Sequence, residues 1–144
     1  MKLSANFTLA ELTRTSQPIR NDPDMLALVA LTQLCCRVLQ PLRDALGKPI
    51  RITSGYRSKA LNTAIRGSST SQHVRGEAAD IKVAGLSAVD LARRIVALGL
   101  PVDQVIWYDA SRGGHVHVSH TASRANRNQL LHAPDSGGYR AWKP

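Results

Sequence analysis

A chain of 144 residues suits one domain with one core, and 43% hydrophobic content at 20% charge argues against wholesale disorder. Aromatics make up only 4%, so the core must be built mostly from Leu, Val, Ile and Ala. The net charge of +9 would attract nucleic acid, an anionic membrane or an anionic wall polymer. Its arginines are scattered from Arg14 to Arg140, however, and no block of like charge marks a specific nucleic-acid reader.

The N-terminal MKLSANFTLAEL has no apolar h-region, so synthesis in the cytoplasm without a signal peptide is expected. Thr8 stands three residues before Glu11, a capping-box spacing, with Phe7 and Leu12 placed as a hydrophobic staple. A short helix over Leu9 to Arg14 is predicted. The polar stretch from Ser16 to Pro23 reads as a loop. Asp22 then caps the longest helix, with Pro23 at its first position, where a missing N–H costs nothing. Leu28, Leu31, Leu34, Val38, Leu42 and Leu46 recur at helical spacing. Pro41 should kink or split that helix, and Gly47 should end it. No apolar run approaches a membrane span. Cys35 and Cys36 are adjacent within the pattern and read as buried free thiols.

Pro49 to Ser54 is a short β-type run. Ser58 caps a helix over Lys59 to Ile65, and the small residues 67–71 form a loop leading to Gln72 and His73. Glu77 to Val83 is the next strand, with Ala79, Ile81 and Val83 on one face and Ala78, Asp80 and Lys82 on the other. Ser87 and Asp90 start a helix with Leu91, Ile95 and Leu98 on one face, which Gly99 and Pro101 terminate. Gln104 to Tyr108 is a strand, 109–114 a hairpin turn, and His115 to Ser119 the returning strand. Residues 121–144 read as an irregular basic tail, held down by Leu130, Leu131, Tyr139 and Trp142. The expected fold is a single α+β domain over 1–144, its core about residues 5–120, with helices flanking a small antiparallel sheet.

His73 and Asp80 lie seven positions apart. With five histidines and ten acidic residues in the chain, that spacing carries little weight alone. The context adds to it: a loop of small residues delivers His73, and Asp80 is a carboxylate on a strand face that needs a partner. His115 and His117 share one face of their strand, so either or both can join them. A His–Asp–His set suits zinc and leaves a fourth position for water. The alternatives are a salt bridge from Asp80 to an arginine and hydrogen-bonded structural histidines.

The segments SGYRS (54–58), SQHVRGEAADI (71–81), DQVIWYD (103–109) and HVHVS (115–119), with FTLAELTRT near the N-terminus, resemble the zinc D-Ala-D-Ala carboxypeptidase family. The resemblance is closest to its phage endolysin and peptidoglycan-peptidase branch, and it covers about residues 5 to 120. The central motif His-x-x-Gly-x-Ala-x-Asp is matched at His73, Gly76, Ala78 and Asp80. The resemblance implies the fold shared with hedgehog signalling domains and a Zn2+ held by His73, Asp80 and His117. It also implies that Arg57 binds substrate and stabilises the oxyanion. Ser71 and Gln72 are placed to contact substrate. Family members carry a Glu or Asp as general base three positions before the last ligand, whereas Gly114 stands there in this chain. Asp109 is the leading substitute; Glu77 is second, although strand alternation points it away. The implied activity is hydrolysis of a peptide bond in the peptidoglycan stem, by a carboxypeptidase or endopeptidase serving phage or prophage lysis. The other reading is a non-hydrolytic peptidoglycan-binding module of the same fold. A monomer without specific nucleic-acid binding is expected.

Overall fold

A computed structural model describes residues 1–144. Helix α1 is Leu9–Thr13, and its capping box forms as predicted, with Thr8 accepting from the Glu11 backbone while Glu11 accepts from that of Thr8. Phe7 and Leu12 are both buried in the core. Helix α2, Met25–Leu34, begins two residues later than the sequence suggests, because Asp24 rather than Asp22 accepts from the Ala27 N–H. Asp22 is instead held by Arg20 at 2.5 Å.

Pro41 does not end the long helix. Residues Cys35–Leu39 form one π-helical turn that leads into α3, Gln40–Leu46. The wider turn absorbs the bond that proline cannot donate. Contrary to expectation, the whole run Met25–Leu46 is long and apolar enough, by length and composition, to cross a membrane, because the π-helical turn carries the helix through Pro41. Its inner face, however, is the core itself: Leu31, Leu34, Cys35, Val38, Leu39 and Leu42 are fully buried against the sheet and α1. Cys35 is a buried thiol, pushed up to about 12 by that burial. Cys36 is exposed, contrary to expectation, because adjacent helical residues point about 100° apart.

Strand β1 is Arg51–Ser54, helix α4 Lys59–Ala64, strand β2 Ala78–Lys82 and helix α5 Ala88–Ala97. Strands β3, Gln104–Tyr108, and β4, Val116–Ser119, form the predicted hairpin, its turn containing a short 3-10 segment at Ala110–Arg112. The tail is not irregular throughout: Gln129–Ala133 is strand β5 and Arg140–Ala141 is β6. The sheet order is β1-β2-β4-β3-β5-β6, antiparallel except for the parallel pair β3–β5. A parallel partner comes from a crossover and leaves no hairpin signature in the sequence, and QLLHA is too short to show period-two alternation. Leu130 and Trp142 do hold this segment to the core, as expected.

One face of the sheet carries Ile52, Ala79, Ile81, Val105, Val116 and Val118 into the helix-covered core. The other face is open. Across it the register aligns Ser54, Asp80, His117, Ile106 and Leu131 in one row.

Candidate metal centre

Two of the predicted ligands are neighbours in that row. Asp80 and His117 are directly paired across β2 and β4, so their side chains must meet. His73 reaches them from a 3-10 turn over Gln72–Arg75, which Ser71 caps by accepting from the His73 N–H. Gly76 closes the turn at φ +73°, and a Cβ there would lie 2.4 Å from the Ala27 carbonyl oxygen. Glycine in the motif therefore allows both the left-handed backbone and the close approach to α2.

The segment after β1 supports the same turn. The Arg57 N–H donates to the His73 carbonyl, and His73 Nδ1 lies 2.7 Å from the Gly55 carbonyl. A carbonyl only accepts, so Nδ1 carries the proton and Nε2 presents its lone pair. That Nε2 is 3.2 Å from His117 Nδ1 and 3.3 Å from Asp80 Oδ1; His117 Nδ1 is 3.2 Å from the same oxygen.

Three donor atoms thus form a nearly equilateral triangle, and all three residues are buried. At most one bridging proton is available to them. Ligands about 2.0–2.1 Å from a tetrahedral zinc lie about 3.3–3.4 Å apart, so the triangle fits one face of such a site. Burial opposes the charge on Asp80, but the adjoining His73 and His117 outweigh it and hold the carboxylate well below its ordinary range. Burial also lowers His117 and His115, which favours the neutral imidazole that a metal requires.

Asp80 turns its second oxygen outward, with Arg57 Nη2 at 3.4 Å and His115 Nε2 at 3.8 Å. Arg57 is steadied by donating from Nε to Ser54 Oγ. The salt bridge considered as an alternative for Asp80 therefore coexists with the donor triangle, on the opposite carboxylate oxygen. His115 stacks on Tyr108, ring centroids 4.3 Å apart. His120 and His132 lie outside the cluster: one bonds the Pro101 carbonyl, and the other stacks on Trp107.

The triangle borders a cavity of about 580 Å³ that Arg57, Ser71, Gln72 and Asp80 also line. Ser71 is at the wall, while the Gln72 amide is engaged by Glu77 and Asp103. Glu77 is buried beneath the wall, bonded by Arg75 and Thr121. Asp109 lies outside the cavity lining, its carboxylate accepting from His132 Nε2 at 2.7 Å and from the Asp135 N–H. Gly114 has φ +62°, a left-handed conformation that favours glycine over residues with a Cβ.

Arg124, Arg127, Leu131 and Tyr139 also line the cavity, a role that sequence reasoning missed, having taken Leu131 and Tyr139 only as anchors of the tail. All belong to the segment read as a tail, and only its folding onto β3 brings them there.

A family model described as Peptidase M15 matches residues 5–119. The zinc D-Ala-D-Ala carboxypeptidase of Streptomyces albus G is 37% identical over 78 residues, which make up 53% of this chain and 31% of that protein. The match therefore spans about a third of the length of that relative.

Proposed function

This chain belongs to the peptidase M15 family, and from that premise we propose that it is a zinc-dependent peptidase acting on the peptidoglycan stem. The observation that carries the reading is the buried triangle of His73 Nε2, Asp80 Oδ1 and His117 Nδ1, with sides of 3.2–3.3 Å. These residues would hold the zinc, which supplies Lewis acidity toward a water and a substrate carbonyl. Phage or prophage lysis is the proposed setting, and the basic surface would keep the protein close to an anionic wall.

The remaining chemistry falls to the chain's own side chains. Arg57 Nη1 makes no hydrogen bond within the protein, so it is free to meet the carbonyl oxygen as negative charge develops there. Ser71 lines the cavity and offers its hydroxyl to the substrate backbone. For the proton acceptor, Asp109 serves if the turn at Ala110–Arg112 releases it from His132. His115 is the other candidate, its Nε2 standing 3.8 Å from Asp80 Oδ2. Asp80 is the only carboxylate in the cavity wall, and this favours a second reading as a non-hydrolytic peptidoglycan-binding module.

Mass spectrometry of muropeptides after incubation with purified peptidoglycan separates the two readings. A peptidase releases shortened stems and identifies the bond that is cut, whereas H73A protein leaves them intact. Identical spectra for wild type and H73A protein, with one zinc bound per wild-type chain, would establish the binding module instead.

A further inference from the structure

At the N-terminal end of β3 the same cavity has a second charged construction that the peptidase chemistry does not use. Asp103 is fully buried, with 0% of its side chain exposed, yet it holds two arginines that are 44% and 49% exposed. Arg124 Nη1 and Nη2 donate to its two oxygens at 2.6 and 3.0 Å. Arg127 donates to it from Nε, from Nη2 at 2.8 Å and from its backbone N–H at 2.9 Å. The Gln72 amide adds a further bond at 3.1 Å.

One buried carboxylate needs one counter-charge, and here it has two. The pair is left with a surplus positive charge at the cavity wall, where both guanidinium groups stand. Arg127 Nη1 and Arg124 Nε find no partner within the protein. The buried aspartate fixes both planes, so the free N–H groups are pre-organised for a planar anion.

We propose that Arg124 and Arg127, oriented by Asp103, form an anion subsite that takes a side-group carboxylate of the peptide substrate. This rests on the peptidase reading above. Asp103 precedes Ile106, the strand neighbour of His117, by three residues, or about 10 Å along β3. An extended peptide covers that distance in about three residues. The subsite therefore selects stems that carry a free carboxylate two to three residues from the bond cut. Its two arginines lie beyond the family match, which ends at residue 119, and Asp103 lies within it.

The test uses the full chain loaded with zinc and a stem-peptide analogue with free side-group carboxylates, together with analogues in which each carboxylate is amidated in turn. Wild type should favour the free form over one of the amidated forms by about tenfold or more in kcat/KM. That ratio should fall toward one in R124Q and in D103N/R124Q/R127Q. The triple variant removes the buried carboxylate together with its partners, so no unpaired charge is stranded. A wild-type ratio near one for every amidated form, or a ratio that the variants leave unchanged, overturns the subsite. Calorimetric binding of the same peptides gives the same ratio without hydrolysis. If no peptide is cut, the peptidase reading fails, and the binding ratio still decides the subsite.

Discussion

Two buried aspartates hold residues of the cavity wall, and their surroundings differ in kind. Asp103 is surrounded by groups that only donate: two guanidinium groups, an amide N–H and a backbone N–H. Its charge is neutralised by the protein itself. Asp80 Oδ1 faces two imidazole nitrogens at 3.2–3.3 Å, so three atoms that can each offer a lone pair to a cation converge on one point. Such a cluster is incomplete without a cation. Burial of a carboxylate therefore does not identify a metal site; the sign of what surrounds it does.

The sharpest way to break this comparison is to alter one residue of each cluster and measure zinc. H73A, D80A and H117A should each lose stoichiometric zinc, and hydrolysis should fall about 1,000-fold or more, while D103A keeps its zinc. Loss of zinc from D103A would show that the two clusters are one unit. In urea unfolding of the metal-free proteins, D103A should cost about 3 kcal/mol, because four donors lose their acceptor. D80A should cost less, since it relieves an unfilled site.

A smaller effect separates the proton acceptors. H115A or D109N, whichever removes the acceptor, should lower kcat by about 100-fold with zinc content unchanged, and the other should do little. Equal losses in both would point to a turn that needs both residues for its shape. The smallest effect is a pH dependence. Asp103 is held below its ordinary carboxylate range: burial opposes the charge, but the hydrogen bonds from Arg124 and Arg127 outweigh it. The stability it contributes is therefore fully present above the unfolded value of about 3.9 and is lost as pH falls through the folded one. The stability difference between wild type and D103N should be flat from about pH 5 to 7 and shrink below about pH 4. A difference that grows on acidification would reverse the sign assigned to Asp103.

The helices and the hairpin were legible because their signals are local. Thr8 with Glu11, Ser58, Ser87 and the QVIWY run each act within a few residues, and each formed where the sequence placed it. The start of the long helix was misplaced because Asp22 and Asp24 are equal candidates for a cap, and the contact of Asp22 with Arg20 is not written in the helical pattern. His73, Asp80 and His117 were also named from the sequence. Spacing gave little of that, and strand alternation left His115 and His117 equal; the resemblance carried by the motif around Gly76 chose His117.

The sequence by itself determined most of the elements up to residue 119 and the family motif, and the resemblance carried by that motif pointed to the three donors. The elements follow from side-chain period and capping within short stretches. Only the tertiary structure decided that Asp109 is bonded to His132, that Gly114 sits in a left-handed turn, and that Arg124 and Arg127 border the same cavity as the donor triangle. The first and the last depend on β5 pairing with β3 from more than twenty residues away. Local periodicity holds no information about that closure, because the pairing is set by the sheet edge that β3 leaves open once β4 has taken the other side.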